Sequence, residues 1–208
     1  PMLCMYTLSF QGPQGALSFP MRGTGVYWFH QLWEGTTGDI AGAVQRSLPL
    51  AFIVMALTVV FSVAAGLGFR SRARGSSVVF YAVIVALTAP GYILGIGIGL
   101  MFNLFGWETD WYTSALGAQL SWTLPFGVLI TFAVFGRFNP SYEEAARDLG
   151  ATPSQTLRMV VLPILLPGII AIALFGFTLS YDEFARTLQT TGSSNTVPIE
   201  IWSMTQNV

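Results

Sequence analysis

The amino-acid sequence predicts an all-α membrane protein on three observations. Its 208 residues are 53% hydrophobic and only 9% charged, whereas a soluble domain carries about 25% charged residues. Four long stretches contain no charged side chain. Most of the arginines lie in the connections between these stretches. A soluble domain of this composition would have too little charge to cover its surface, so we set that alternative aside.

Each uncharged stretch is long enough to cross a bilayer, whose hydrocarbon core of about 30 Å takes about 20 apolar residues. The expected spans are residues 47–69, 78–106, 115–136 and 159–180. We interpret the apolar residues 1–10 as the end of a preceding helix, and we expect the last helix of the fold to be absent from this chain. The chain is therefore expected to form a single domain, residues 1–208.

The arginines give the expected orientation. Two connections carry three arginines each: Arg70, Arg72 and Arg74 after the first span, and Arg137, Arg147 and Arg158 after the third. Because Lys and Arg favour the cytoplasmic side, we expect these two connections inside the cell. The segments expected outside are residues 11–46, 107–114 and 182–208. Arg22, Arg46 and Arg186 then lie outside, against this rule.

The second span contains a proline and a regular repeat of glycines. Pro90 removes one backbone hydrogen bond, so we expect it to kink the helix. Gly91, Gly95 and Gly99 recur every four residues and share one helix face, which would let another helix approach closely. A phosphate-binding loop is the alternative interpretation of this run, but no strand precedes it and no Lys-Ser/Thr follows.

Residues 137–163 predict a helix, a glycine turn and a second helix. Ser141 with Glu144 matches a capping box, and Gly150 is placed to end the first helix in the left-handed conformation. Thr152 with Gln155 matches a second box, at the start of a helix that continues into the fourth span. From the residues alone, this segment fits either a helix that docks on another protein or an ordinary solvated loop.

The spacing in this loop resembles the EAA motif of ABC importer permeases. Glu144, Ala145 and Ala146 are followed by Gly150 and then by Leu162-Pro163 at the motif's spacings, with Val160 where the family often has Ile. The resemblance implies that these residues form the coupling site for a separate ATP-binding subunit. It also implies the type I ABC importer transmembrane-domain fold, here as the end of helix one plus four full spans.

A narrower resemblance points to the permeases of the spermidine/putrescine importer group. Ser-Tyr-Asp-Glu at 180–183 and Pro-Ile-Glu-Ile-Trp-Ser-Met at 198–204 carry most of it. It implies a multi-pass subunit of the bacterial inner membrane, in contact with membrane lipid. Its implied partners are a second permease subunit, in a hetero- or homodimer, two ATP-binding subunits and an extracytoplasmic solute-binding protein. A polyamine is then the expected substrate. Permeases for iron, thiamine, phosphonates or opines look alike at this level and stay open as alternatives.

Tyr181, Asp182 and Glu183 are the candidate residues of the substrate path. They stand at the outer end of the fourth span, where an ionisable group usually faces a cavity or a partner. A carboxylate there would form charge-assisted hydrogen bonds with the ammonium groups of a polyamine. A solvated interfacial pair, or an ion pair with Arg186, is the alternative. Glu200 is a further candidate of the same kind.

Other function classes have little support in the sequence. A net charge of −1 gives no basic field for nucleic acid, and the single Cys4 and single His30 do not form a metal site. We expect no catalytic residue and no cofactor in this chain. Since it has no Walker P-loop, ATP is expected to be bound by a partner. A secondary transporter or channel would need ionisable residues deep in the spans, and an intramembrane enzyme a buried His, Asp or metal cluster. The predicted spans carry none of these.

Overall fold

The computed structural model describes residues 2–13, 21–34, 38–70 and 75–206. Predictions that concern Arg72 and Arg74 lie outside the described residues. Within these ranges every element is a helix, apart from an isolated β-bridge between Gln11 and Thr24. The helices are α1 (Met2–Leu8), α2 (Tyr27–Trp33), α3 (Ile40–Arg70), α4 (Ser76–Thr88), α5 (Gly91–Leu104), α6 (Ser114–Gly136), α7 (Ser141–Asp148), α8 (Pro153–Thr156), α9 (Leu162–Tyr181) and α10 (Val197–Gln206). A π-helical turn, Leu157–Val161, joins α8 to α9, and a 3₁₀ turn, Thr187–Gln189, lies between α9 and α10.

Three helical segments are long and apolar enough to cross a membrane. They are α3, α6 and the continuous run Pro153–Tyr181, which contains α8, the π-helical turn and α9. The pair α4 and α5 adds a fourth span if the two helices are counted together. The prediction of an all-α membrane protein is confirmed.

Pro90 breaks the second predicted span. In place of one kinked helix over 78–106, α4 ends at Thr88, α5 begins at Gly91, and the two helices are bent by 103°. Ala89 is extended, with φ −72° and ψ 128°, because the proline ring disfavours helical backbone in the residue before it. Pro90 itself cannot donate the next helical hydrogen bond.

Helices α3, α6 and α9 form the core, and they approach one another at small residues. A β-carbon at Gly127 of α6 would lie 2.3 Å from Oγ of Ser62 in α3, and one at Gly176 of α9 would lie 3.4 Å from Cα of Met55. Thr58 donates a hydrogen bond of 2.8 Å to Thr123 between α3 and α6. Lipid tails are as apolar as leucine, so such close contacts and hydrogen bonds, rather than apolar burial alone, hold membrane helices together.

The core separates two ends of the molecule. At one end, the last residue of α3 contacts the loop 137–163. At the other end, Ser114 at the start of α6 donates to the carbonyl of Thr190, and Ser47 accepts from the N–H of Val197. Following the distribution of arginine, we call these the inner end and the outer end.

Candidate functional site

At the inner end, α7 stops in the turn that the sequence predicts. Gly150 has φ +86°, which is left-handed backbone. The N–H of Gly150 donates to the carbonyl of Arg147 and that of Ala151 donates to the carbonyl of Ala146, at 2.8 and 3.0 Å. These two bonds are a Schellman motif, which satisfies the last carbonyls of the helix. Nothing lies within 4 Å of a β-carbon built at Gly150, so the backbone conformation, and not space, requires glycine.

One of the two predicted capping boxes is present. Thr152 Oγ1 accepts from the N–H of Gln155, and Gln155 Oε1 accepts from the N–H of Thr152, at 3.3 and 2.8 Å. The box predicted for Ser141 is wrong. Ser141 is already the first helical residue, and its N–H donates to Oδ1 of Asn139 at 3.1 Å. The side chain of Glu144 is therefore left exposed.

The EAA residues divide into two groups. Glu144, Ala145 and Gly150 are exposed and Ala146 is half-buried, on the short helix α7 and its turn. Leu149, which directly precedes Gly150 in the turn, is 90% exposed. Leu162 and Pro163 instead begin α9, directly after the π-helical turn. The sequence did not indicate that π-helical turn.

Arg70 makes a contact with this loop that the sequence analysis missed. Nη1 of Arg70, the last residue of α3, lies 2.5 Å from Oε1 of Glu143. Its guanidinium carbon lies 4.6 Å from the ring centre of Phe138. Arg147 also reaches Glu143, at 3.5 Å, but from a side chain that is 62% exposed. In the sequence, an arginine at the end of a span indicates orientation and gives no sign of such a contact.

At the outer end, Glu183 forms a buried ion pair with Arg186. Oε2 of Glu183 lies 3.2 Å from Nη1 of Arg186, and the two side chains are only 7% and 5% exposed. The guanidinium of Arg186 also lies over the ring of Trp122 at 4.4 Å. The alternative that the sequence left open, an ion pair with Arg186, is thus the arrangement of Glu183.

Asp182 and Tyr181 are placed differently. Asp182 is exposed, and no hydrogen bond or ion pair joins its carboxylate to the rest of the described chain. The ring of Tyr181 is half-buried and stacks on Phe177 with centroids 5.9 Å apart. Of the three predicted path residues, only Asp182 offers a carboxylate to a ligand.

The glycine face of α5 is in close contact, but with a different element from the one expected. A β-carbon at Gly91 would lie 2.7 Å from Nη1 of Arg186, one at Gly95 2.7 Å from the carbonyl oxygen of Arg186, and one at Gly99 2.7 Å from that of Gln189. The glycine repeat of α5 therefore packs against the 3₁₀ segment after α9, and not against another spanning helix.

A second polar network joins α10 to the start of α3. Glu200 accepts hydrogen bonds of 2.8 Å from the N–H of Asp39 and from the amide of Asn195. Arg46 contacts Asp39 at 3.2 Å and donates to the carbonyl of Asn195. The N–H of Gly42 and the guanidinium of Arg46 lower the pKa of Asp39 below its ordinary value of 3.8. Glu200 is buried in this network, and α3 begins at Ile40, seven residues before the predicted span.

Two of the three arginines expected outside, against the preference of arginine for the cytoplasmic side, are paired with a carboxylate. Arg46 is paired with Asp39 and Arg186 with Glu183, both at the outer end. Over the described residues, no three His, Cys, Asp or Glu side chains lie close enough to hold a metal ion.

Comparison with known proteins gives matches along most of the chain. Residues 58–207 match a family described as "Binding-protein-dependent transport system inner membrane component". The chain is 28% identical over 206 residues to the spermidine/putrescine transport system permease protein PotC of Escherichia coli (strain K12), covering 98% of this chain and 76% of that protein. It is 27% identical to the protein of the same name in Haemophilus influenzae, covering 98% and 78%. It is 28% identical over 211 residues to the putrescine transport system permease protein PotI of E. coli (strain K12), covering 98% and 74%.

Proposed function

The chain belongs to the family of binding-protein-dependent transport system inner membrane components, and we propose that it is the permease subunit of an ATP-driven polyamine importer. Membership makes it a multi-pass transport component of the bacterial inner membrane. The observation that carries the proposal is the capped loop at the inner end, whose tip residue Leu149 is 90% exposed. Beyond family membership, the proposal specifies the subunit that binds this loop and the solute that is transported.

The inner loop is suited to dock on an ATP-binding subunit. The end of α7 and the start of α8 are both capped by hydrogen bonds, which define the turn between the two short helices. Burying an exposed leucine in a groove contributes about 1.5–3 kcal/mol. Glu144, exposed on the same short helix, would then lie at the rim of the contact. In this assignment Glu144, Ala145, Ala146 and Gly150 form the contact surface, while Leu162 and Pro163 connect it to α9.

The transport cycle follows from that arrangement. Two ATP-binding subunits hold the nucleotide, and a second permease subunit completes the path across the membrane. An extracytoplasmic solute-binding protein supplies the substrate at the outer end. Closure of the ATP-binding subunits moves the inner loops, and the spans pass between inward-open and outward-open arrangements. This chain carries no part of ATP hydrolysis. It transmits motion and lines half of the path.

The substrate assignment rests on the relatives and on Asp182. The relatives are named for spermidine and putrescine, which are alkyl chains that carry more than one ammonium group. Each ammonium loses part of its hydration on entering a narrow path, at a cost of several kcal/mol if nothing replaces the water. Asp182 could replace it through charge-assisted hydrogen bonds, and the ring of Tyr181 could add a cation–π contact. Glu183 is already neutralised by Arg186, so we assign recognition to Asp182 and a structural role to Glu183.

The test is ATP-driven uptake by the complete importer in liposomes, with its partner subunits and binding protein. We expect uptake of labelled spermidine or putrescine. Asp182→Asn should reduce it about tenfold or more, because a hydrogen bond to a charged group contributes about 1.5–3 kcal/mol. Glu108→Gln removes an exposed carboxylate from the other outer connection and should have no effect. Uptake restricted to anionic or neutral solutes would refute the polyamine assignment.

Docking is tested separately by Leu149→Asp. This side chain is almost wholly exposed, so the thermal stability of the permease alone should not change. Co-purification of the ATP-binding subunit and substrate-stimulated ATP hydrolysis should both fall. Normal ATP hydrolysis in the Leu149→Asp complex would show that the tip of α7 is not the docking surface.

A further inference from the structure

We propose that Arg70 is a positioning residue that connects the inner loop to α3, so that α7 and α3 move as one body during transport. The inference rests on the proposed function, because it concerns how motion of the docked loop reaches the spans. It assigns a role to a side chain outside the EAA spacing, on a helix distant in sequence from the loop.

The contact has two parts that act on different groups of the loop. One nitrogen of the Arg70 guanidinium lies 2.5 Å from the carboxylate of Glu143. The guanidinium carbon lies over the ring of Phe138, 4.6 Å from its centre, and Phe138 packs edge-on against Tyr142 of α7. Arg70 therefore holds both the segment that enters α7 and the first turn of α7. A lysine here would supply the charge, but not the planar group with which arginine can stack on an aromatic ring.

The pair is shielded enough to act as a specific contact. The side chains of Arg70 and Glu143 are 24% and 15% exposed, whereas fully exposed ion pairs contribute little. Arg147 supplies an internal comparison, because it contacts the same carboxylate at 3.5 Å while 62% exposed. Without Arg70, Arg147 is the one ion-pair partner left to Glu143 among the described residues.

The other direct connection of α7 is to the run that continues into α9. Apart from the chain itself, α7 packs chiefly on α8 and the π-helical turn that follow it. Helix α3, in contrast, makes the largest contacts of the core, with α9 and with α6. It runs 31 residues, about 46 Å at 1.5 Å per residue, from Arg70 to the network around Asp39 and Glu200. A movement transferred at Arg70 thus reaches the core helix that extends to the outer end.

The experiment combines function and distance in the assembled importer. With Cys4 replaced by serine, spin labels at Ala64 of α3 and Asp148 of α7, both exposed, report the distance between the two helices. Uptake and ATP hydrolysis are measured on the unlabelled complexes. The variants are Arg70→Ala, Glu143→Ala, the exchange Arg70→Glu with Glu143→Arg, and the control Arg147→Ala.

We expect a narrow distance distribution that keeps its mean in all nucleotide states. Arg70→Ala and Glu143→Ala should broaden it and raise the ATP hydrolysed per solute transported about tenfold, within the range by which residues along a coupling route act. The exchange variant should restore both, at least in part, and Arg147→Ala should change neither. Restoration by exchange would show that the effect belongs to the ion pair and not to either side chain alone, and a variant that still assembles with its partner subunits has kept its fold.

Two results would overturn the proposal: an unchanged distance distribution in Arg70→Ala, or an exchange variant that assembles yet resembles Arg70→Ala. Both are independent of the substrate. If the wild-type complex transports no polyamine, the proposed function fails, and the distance measurements still decide the role of Arg70.

Discussion

Gly95 and Arg186 touch backbone to backbone: a β-carbon at Gly95 would lie 2.7 Å from the carbonyl oxygen of Arg186. The contact holds the segment after α9 against α5. Gly97, two residues further along the same helix, has nothing within 4 Å of its β-carbon position. The two glycines therefore form a matched pair, alike in helix propensity and different in what they touch.

From this pair we predict opposite outcomes of one substitution. Gly95→Ala should lower the free energy of unfolding by about 1–3 kcal/mol, the cost of overpacking a filled site. Gly97→Ala should be neutral or slightly stabilising, because alanine favours helix over glycine by about 1 kcal/mol. Thermal unfolding of the two purified variants in the same detergent measures both. Equal effects at the two positions would contradict the contact.

Gly150 gives a prediction that depends on backbone conformation alone. Left-handed backbone costs an ordinary residue about 1–2 kcal/mol, and a β-branched residue more. Gly150→Val should therefore distort the turn and sharply reduce substrate-stimulated ATP hydrolysis in the complete importer. Gly150→Asn should retain most of it, since asparagine tolerates this conformation. Membrane insertion should be normal in both. Equal ATP hydrolysis in the Gly150→Val and Gly150→Asn complexes would contradict the requirement for a left-handed turn.

The buried pair of Glu183 and Arg186 should behave unlike Asp182. Glu183→Gln leaves a buried guanidinium without its counter-ion, a change that typically costs about 3–5 kcal/mol. We expect a large drop in thermal stability, whereas Asp182→Asn should leave stability unchanged. Replacing both members, by Glu183→Gln with Arg186→Met, should recover part of the loss because no charge is then buried alone. A double variant less stable than Glu183→Gln would argue against the pair.

The network around Asp39 predicts a dependence on pH. The fold lowers the pKa of Asp39, so folding favours its charged form. The resulting stabilisation is present above about pH 4 and is lost as the pH falls through the lowered pKa. The difference in Tm between wild type and Asp39→Asn should therefore be visible at neutral pH and vanish in acid. Glu34→Gln, at an exposed carboxylate after α2, is the control. A difference that stays constant with pH would contradict the assignment.

Local features of the site could be predicted from the sequence, and distant ones could not. The left-handed Gly150 and the capping box at Thr152 depend on residues within a few positions of each other, so their spacing is sufficient. The box expected at Ser141 failed because Asn139 and Pro140 start the helix one residue earlier than the motif requires.

Contacts between distant segments leave no comparable pattern in the sequence. Arg70 and Glu143 are separated by 73 positions, and nothing in either stretch indicates the other. The glycine repeat of α5 correctly indicated a close approach, but small residues do not specify what approaches them. The sequence predicts a kink at Pro90 where the structure has a break of 103°, because a proline can either kink a helix or end it. Contacts with the rest of the fold decide between the two.

The π-helical turn at Leu157–Val161 sets the direction in which the inner loop points relative to α9. A π-helical turn accommodates one more residue than an α-helical turn, and one residue corresponds to about 100° around a helix axis. The direction in which α7 and Leu149 point is thus offset by that angle from the face of α9 that is buried against α3. Deleting a single residue from this turn would remove neither the Gly150 turn nor the capping box at Thr152, yet it would rotate the tip of the loop by about 100° relative to α9.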